Sequence, residues 1–329
     1  MATMITITMI TKIKATGSKY TGTFGNQEVE AMELGLIDFD TSIRIWNRTT
    51  GKERLSLTIP NIYPENVYSV GFSSDGKRIA SSSPIRIWDT ETGGLVQEIS
   101  IPNSFTGIRY VSFGRDDSTI IAHDIRTIYV LDSQKGTELL RIKIPDLLFS
   151  SVGVSPVEDI IASSSSDNII RIWDSKSGKM IRSIGKTGNV LSIDFSSDGK
   201  ELVTASDDTT IRIWDIKTGE EIRRIEGNFI KCNSVSFSHN GQKIVSSHED
   251  NTIRIWDVST GREIRNLKDS SLLVSTAVFS SDDSLIYSAS ERILKIWGAL
   301  DLNELIIEIR ERFKDRQLTL EERKKYYLD

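Results

Sequence analysis

The side chains best suited to metal binding or covalent chemistry are scarce in this sequence, which contains 3 histidines and 1 cysteine. His239 lies in a turn-like Ser-His-Asn-Gly segment, and His248 precedes Glu249 and Asp250. Neither has a second histidine at ligand spacing, so both are expected to be solvated turn residues. Cys232 lies on the apolar face of a predicted strand, which favours a buried, unreactive thiol. We therefore expect no metal site and no cysteine nucleophile.

One segment comes close to a phosphate-binding loop. Residues 71–78 read Gly-Phe-Ser-Ser-Asp-Gly-Lys-Arg, but Arg78 stands where a Ser or Thr would hold magnesium. The segment also joins two predicted strands and does not open a helix, which argues against a nucleotide site. Carboxylates are numerous, yet no close pair falls outside the recurring turns. The sequence predicts no enzyme activity, no catalytic residue and no cofactor.

Charge and composition exclude further classes. The 329 residues are 38% hydrophobic and 26% charged, and 41 basic against 46 acidic residues give a net charge of −5. A sequence-independent nucleic-acid binder would carry a basic excess. No run reaches the 18 apolar residues of a membrane span, and the first residues lack the basic start of a signal peptide. With one cysteine excluding an internal disulfide, the expectation is a cytoplasmic protein without nucleic-acid or membrane partners.

An internal repeat determines the predicted fold. The string Ile-Arg-Ile-Trp recurs with a Leu-Lys-Ile-Trp variant, and a degenerate copy places Leu131 in the Trp position. Successive intervals are 42, 43, 42, 41, 42 and 41 residues for the positions Trp46, Trp88, Leu131, Trp173, Trp214, Trp256 and Trp297. Seven units of this length predict one all-β domain over residues 1–300, although length alone suggests two domains.

Each unit repeats the same local pattern. An alternating strand ends at the Trp, as in Thr210–Trp214, where Ile211 and Ile213 share one face. A glycine follows five residues later in six units, where a tight turn requires it. Upstream lies a Val-x-x-Val-x-Phe strand, then a turn and a Ser-rich strand. Four short antiparallel strands per unit are typical of a propeller blade.

These repeats resemble the WD40 family, whose members fold as seven-bladed β-propellers. By that resemblance the tryptophans are structural, and Asp40, Asp167, Asp208 and Asp250 match the aspartate between the second and third strands. The family's recurring histidine is absent: its place is taken by Tyr63, Ser104, Pro145, Lys186, Asn228 and Ser270. The Trp–His–Ser–Asp hydrogen-bond tetrad of the family therefore cannot be complete, and we expect the tryptophans to act by packing between blades.

The resemblance also suggests how the ring closes. The last unit has no outer strand after Trp297, and residues 4–14 alternate in the manner of a strand. In the family an N-terminal strand commonly completes the last blade, and we expect residues 4–14 to do so here. Residues 301–329 follow as a C-terminal helical extension, in which Thr319 and Glu322 form a capping box. This extension is similar to that of bacterial WD40 proteins, and it either caps the rim or docks a partner.

A basic residue recurs two positions before most of the tryptophans. This set could suggest nucleic-acid binding, but we expect each stem to cover the neighbouring blade while the charged head reaches solvent. The set comprises Arg44, Arg86, Arg171, Arg212, Arg254 and Lys295.

Function in a propeller is carried by loops at the two ends of the ring. The resemblance implies that partners bind the end that carries the fourth-to-first and second-to-third strand connections, called the top face below. Apolar side chains stand in several of these connections, and they either form one exposed patch or fold over their own blades. The residues are Tyr63, Phe105, Leu148, Phe229 and Leu273.

Two functions follow from this interpretation. The first is a non-catalytic scaffold that binds a protein or peptide partner on the top face. The second is the sensor subunit of a bacterial signalling or defence complex, acting with a separately encoded NTPase or protease effector. The sequence does not name the partner.

Overall fold

The computed structural model describes residues 9–14, 19–24, 27–32, 35–46, 53–58, 67–82, 84–101, 107–227, 230–268, 274–290 and 294–299. Within these ranges all regular secondary structure is β-strand, as the all-β prediction requires. The predicted helical extension at 301–329 lies outside the described residues. In the described ranges no helix is long and apolar enough to cross a membrane.

Six antiparallel sheets follow one another along the chain, and together they form a β-propeller. We name each blade after its Trp-position residue. Five blades have four strands, and the last has three. The Trp88 blade contains β6 (Val70–Phe72), β7 (Arg78–Ser81), β8 (Ile85–Asp89) and β9 (Leu95–Ile99). The Leu131 blade contains β10 (Tyr110–Phe113), β11 (Thr119–His123), β12 (Ile128–Asp132) and β13 (Glu138–Ile142).

The remaining blades keep the same order. The Trp173 blade contains β14 (Phe149–Val154), β15 (Ile160–Ser165), β16 (Ile169–Asp174) and β17 (Met180–Lys186). The Trp214 blade contains β18 (Val190–Phe195), β19 (Glu201–Ser206), β20 (Thr210–Asp215) and β21 (Glu221–Glu226). The Trp256 blade contains β22 (Cys232–Phe237), β23 (Lys243–His248), β24 (Thr252–Asp257) and β25 (Glu263–Lys268). The Trp297 blade contains β26 (Val274–Phe279), β27 (Leu285–Ser290) and β28 (Leu294–Gly298).

The hydrophobic core lies between adjacent blades. Side chains alternate along a strand, so Trp214 packs against the Trp173 blade while Ile211 and Ile213 pack against the Trp256 blade. All three side chains are buried. The five blades from Trp88 to Trp256 therefore have two apolar faces, and each of these faces packs against a neighbouring sheet.

Glycines allow the blades to approach closely. Gly178, Gly219 and Gly261 follow the tryptophans by five residues and have φ near +70°, as a tight turn requires. A Cβ on Gly219 would also lie 2.8 Å from Cδ of Arg182 in the preceding blade. These positions therefore need glycine for conformation and for space.

The Trp46 repeat departs from this pattern. Its sheet is three-stranded, with β1 (Met9–Lys14), β4 (Gly35–Trp46) and β5 (Glu53–Thr58) in that order. A separate hairpin joins β2 (Lys19–Phe24) and β3 (Gln27–Met32). The prediction of seven like blades is therefore wrong in its count, because the described strands build six blades in chain order and this differently assembled sheet.

A sequence feature accounts for the difference. Apolar residues alternate at Ile37, Phe39, Ile43 and Ile45, with the β-branched Thr41 at the place between them, and this pattern favours one continuous strand. The other repeats place a polar residue where Phe39 stands, and their second and third strands are separated by a turn. In the Trp46 repeat the two strands merge into the 12-residue β4.

The closure of the last blade by residues 4–14 stays a prediction, since residues 4–8 lie outside the described residues. Strand β1 pairs antiparallel with β4, with Met9 opposite Ile43 and Ile10 opposite Ser42. The last blade has the strand order β26-β27-β28 and no hydrogen-bonded fourth strand among the described residues. The merging of two strands into β4 explains this result, because it leaves one edge of β4 without its usual neighbour and β1 occupies that edge.

Candidate interaction surfaces of the propeller

The tryptophans make a hydrogen bond as well as packing contacts. The indole Nε1 of Trp214 donates to the Thr204 hydroxyl at 3.0 Å, and that of Trp256 donates to the Ser246 hydroxyl at 2.7 Å. The same bond joins Trp88 to Ser81, Trp173 to Ser163 and Trp297 to Ser288. A buried indole N–H needs such a partner. The strand position of Trp46 is described, but its side chain is not.

The recurring arginines do not extend into solvent, contrary to expectation. The side chains of Arg212 and Arg254 are 7% and 9% exposed, and each pairs with the aspartate four residues earlier. Arg212 Nη2 lies 2.5 Å from Asp208, and Arg254 Nη2 lies 3.1 Å from Asp250. Arg171 pairs with Asp167 in the same way. The aspartates that the family uses in its tetrad therefore neutralise buried guanidinium groups here.

These ion pairs affect proton binding. The Arg171 guanidinium, with help from the Ser165 hydroxyl and the Ile169 N–H, lowers the pKa of Asp167 to about 2. A charge-assisted hydrogen bond to a carboxylate favours its ionised form. The pair is a structural feature of the blade, since Arg171 and Asp167 both bond within their own sheet. Asp40 lies in β4, and its side chain is not described.

The sequence pattern predicts that His248 is a solvated turn residue, and this prediction is wrong. His248 is the last residue of β23 and is fully buried, with Nε2 2.7 Å from the Ser246 hydroxyl. Ser246 also accepts the Trp256 indole N–H, so three side chains form a Trp–Ser–His chain. A histidine from the second strand thus joins the hydrogen-bonded group that the family completes from another position. The missed signal is the Ser-x-His spacing on an alternating strand.

The other candidate reactive groups are also accounted for. Cys232 is fully buried, and burial raises the pKa of its thiol. His123 is 4% exposed, its Nδ1 lies 2.8 Å from the Asp124 carbonyl, and its ring stacks on Tyr110. Across the described ranges no group of three or more His, Cys, Asp or Glu residues could hold a metal ion.

Small polar residues join the innermost strands around the axis. The Val235 N–H donates to the Ser192 hydroxyl at 3.2 Å, and the Phe237 N–H donates to Asp194 at 2.8 Å. Burial raises the pKa of Asp194 to about 6, against the effect of that hydrogen bond. A Cβ on Gly71 would lie 2.9 Å from the Ser112 Cα. Close strand approach and hydroxyl bridges make the inner ring a tightly joined scaffold.

The top face carries exposed apolar side chains on short connections. Leu148 is 41% exposed, and its backbone N–H donates to the Ser166 hydroxyl. Tyr68 and Ile230, which the sequence pattern does not single out, are 50% and 59% exposed at the same end. Tyr68 N–H donates to Ser82 of the second-to-third connection, which places it there. Tyr68 and Ile230 each lie close in sequence to a predicted partner-binding residue, Tyr63 and Phe229 respectively.

The other predicted partner-binding residues, Tyr63, Phe105, Phe229 and Leu273, lie outside the described residues. The neighbouring backbone is held by polar contacts, since Lys231 pairs with Glu249 at 3.0 Å and Asn189 N–H donates to Asp207 at 2.8 Å. The described part of this face therefore presents apolar groups on loops that are fixed to the blade below.

Comparison with solved structures shows a fold likeness. A chain in the crystal structure of the mitotic checkpoint complex matches with a TM-score of 0.71 at 19% identity, covering 83% of this chain and 85% of that chain. At this level of identity the likeness concerns the fold alone.

Two curated relatives match shorter stretches. Autophagy-related protein 16 of Arabidopsis thaliana is 25% identical over 181 residues, which are 51% of this chain and 33% of that protein. Eukaryotic translation initiation factor 3 subunit I of Neurospora crassa is 36% identical over 53 residues, which are 16% of this chain and 15% of that protein. The matched region is thus a third or less of the length of each of these relatives.

A family model matches more than half of the chain. Residues 90–295, from the end of the Trp88 third strand to the Trp297 third strand, match the model described as Nucleolar protein 10-like, N-terminal domain. That stretch covers the blades whose hydrogen bonds and ion pairs are given above. The chain is therefore a WD40-type β-propeller that belongs to the family of Nucleolar protein 10-like N-terminal domains.

Proposed function

We propose that the chain is a non-catalytic scaffold that binds a protein or peptide segment on the top face. The supporting observation is the exposure of Tyr68, Leu148 and Ile230 at that end. Exposed aromatic and aliphatic side chains on a fixed backbone bind a partner without a large cost of ordering the loops.

The described site chemistry supports a binding role. The buried histidines and Cys232 are held in neutral forms by burial, and the recurring carboxylates are occupied by turns and by arginines. The Ser246 hydroxyl lies 2.7 Å from His248 Nε2, but both side chains are fully buried and the hydroxyl already accepts the Trp256 indole N–H.

The test compares partner capture by the native chain and by a variant with Tyr68→Ala, Leu148→Asp and Ile230→Asp. Affinity purification from the native host with quantitative mass spectrometry should show at least a tenfold loss of the co-purified partner. Replacing Leu139, which is 57% exposed on an outer strand, by Asp is the matched control and should retain the partner. Equal capture by the triple variant would contradict the proposal.

The same purification separates the scaffold from a sensor subunit of a signalling or defence complex. A co-purified NTPase or protease that requires the top face would assign the sensor role. Other partners at that face would leave the scaffold as the function.

A further inference from the structure

We propose that the groove between the Trp214 and Trp256 blades, at the end opposite the top face, binds a lysine or arginine side chain of a protein partner whose flanking residues are aliphatic. This site is separate from the proposed top-face surface, and its test does not depend on that proposal.

The groove has a volume of about 430 Å³. It lies where the second strand begins and the third strand ends, and both blades contribute to it. The lining includes Glu201, Ile222, Arg223, Asp257, Val258 and Ser259. The volume and the mixed lining suit a long side chain that is apolar along its stem and charged at its tip.

A pair of facing carboxylates distinguishes this groove from its counterparts. Glu201 stands directly opposite Asp215 on the neighbouring strand, so two carboxylates share one face. Like charges in this position are unfavourable. In the other five blades the corresponding pairs are Arg78 with Asp89, Thr119 with Asp132, Ile160 with Asp174, Lys243 with Asp257 and Leu285 with Gly298. The Trp214 blade thus has a carboxylate where the Trp88 and Trp256 blades supply a cation.

The other carboxylates near the groove are already engaged. Asp257 accepts hydrogen bonds from Ser259 and Thr260 in its own turn. Asp215 accepts the Thr218 N–H in the same way. Arg223 donates from Nη2 to the Ser259 carbonyl across the groove, while its buried Nε has no hydrogen-bond partner within the described ranges. Glu201, by contrast, has no side-chain hydrogen bond or ion pair within the described part of the chain.

The environment of Glu201 disfavours the charged form of its carboxyl group. Partial burial raises the pKa of its carboxyl group, and the nearby charges of Asp198 and Asp215 raise it further. Lys200 opposes the rise but pairs with Asp198 at 3.0 Å. A bound ammonium or guanidinium group would supply the missing positive charge.

The apolar part of the groove fits the stem of such a side chain. Ile222 is 45% exposed at its lip, and Val258 is half-buried on the other side. Ile181, at the corresponding place on the preceding outer strand, is 54% exposed. Lys and Arg side chains bury their methylene groups on such surfaces while the charge bonds to a carboxylate. Aliphatic neighbours in the partner would contact the same surface.

Peptide display on the intact chain tests the proposal. Random peptides are selected on the native protein alone, with no depletion on any variant. The selected peptides should be enriched in Lys or Arg flanked by aliphatic residues. Their affinity, measured by fluorescence anisotropy, should fall at least tenfold on Glu201→Lys and on Ile222→Asp.

Two controls keep the result interpretable. Glu201→Lys should fold at least as well as the native chain, because Lys243 occupies the same position opposite Asp257 in the next blade. Glu158→Lys changes the charge of an exposed residue of the Trp173 blade and should leave peptide affinity unchanged.

Three results would overturn the proposal. The first is equal binding by the native chain and Glu201→Lys, and the second is a selected set without basic residues. The third is a selected motif that matches the chain's own Arg323–Lys325 segment, which would make the occupant this chain's C-terminal region and not a separate partner.

Discussion

At the scale of single residues, the recurring Trp, Asp and Arg positions form two linked polar contacts inside each of several blades. In the Trp214 blade Trp214 bonds to Thr204, and Arg212 on the same strand pairs with Asp208. A buried guanidinium group is stable only when it is paired, because its transfer from water is costly. The aspartate therefore neutralises the charge of the arginine, in a chain that lacks the family's tetrad histidine.

Removing one partner of this pair should destabilise the fold. Asp208→Ala leaves Arg212 with Glu221 at 3.4 Å as its remaining acidic partner, and we expect a loss of about 2 kcal/mol in the free energy of unfolding. Replacing Arg212 by Met in the same chain should restore at least half of that loss, since no unpaired charge remains buried. Urea unfolding of the double-mutant cycle measures both values.

Glu220→Ala is the matched control for this cycle, because Glu220 is exposed beside the same strand. It should change the free energy of unfolding by less than about 0.5 kcal/mol. If Asp208→Ala lowered the free energy of unfolding by no more than the control does, Arg212 would not depend on Asp208.

His248 should make stability sensitive to pH. Burial and the charge of Arg254 lower its pKa to about 4, while Asp250 acts in the opposite direction. The unfolded chain takes up this proton near pH 6.5, so the contribution of the neutral ring is complete above 6.5 and is lost as the pH falls towards 4. We expect a loss of about 3 kcal/mol over this interval from this group.

His248→Ser is the informative variant, because Ser165 and Ser206 occupy the same position in the two preceding blades. Carboxylates titrate in both proteins, so the difference between their urea-unfolding curves isolates the histidine. The variant should show a flatter fall in stability between pH 6.5 and 4. Parallel curves would contradict the assignment of a buried neutral ring.

At the scale of elements, β4 and β1 show how one continuous strand changes a whole sheet. The 12 residues of β4 cover the place where other repeats turn between their second and third strands. Positive-φ residues make that turn in three other blades, namely Asn168, Thr209 and Asn251. Without the turn, β4 keeps one edge open for β1.

A disulfide test distinguishes this arrangement from closure of the last blade. Ile10→Cys with Ser42→Cys should form a bond on mild oxidation, because the two residues are direct antiparallel partners. Ile10→Cys with Lys295→Cys, which places the second thiol on β28, should stay reduced. Non-reducing electrophoresis and peptide mapping report the bond, and Cys232 is buried and does not compete. The opposite pattern would return β1 to the last blade.

At the scale of the whole molecule, contacts between blades join the sheets into one body. Arg182, Arg223 and Arg265 each donate from an outer strand to a backbone carbonyl of the following blade. The glycine turns fit against the same side chains, as the Arg182 contact at Gly219 shows. The top-face residues and the groove residues lie at opposite ends of these joined blades. A partner at the top face and a partner in the groove would therefore contact different residues.

Much of this architecture follows from local sequence. The strand alternation, the glycine five residues after each tryptophan and the repeat length predict antiparallel strands and blades, and the structure confirms an all-β propeller. Cys232 is also read correctly as buried, since it occupies the apolar place in a recurring strand. These features depend on periodicity within one repeat, which a single sequence displays directly.

Contacts between distant residues were decided only by the tertiary structure. The sequence placed His248 and the arginines in solvent, because their burial depends on the neighbouring blade that covers them. It could not find the Glu201–Asp215 repulsion, since strand register brings together residues that are 14 apart. The sequence by itself determined what each repeat can form, and the packing of one repeat against the next determined which charges are paired and which one faces an open groove.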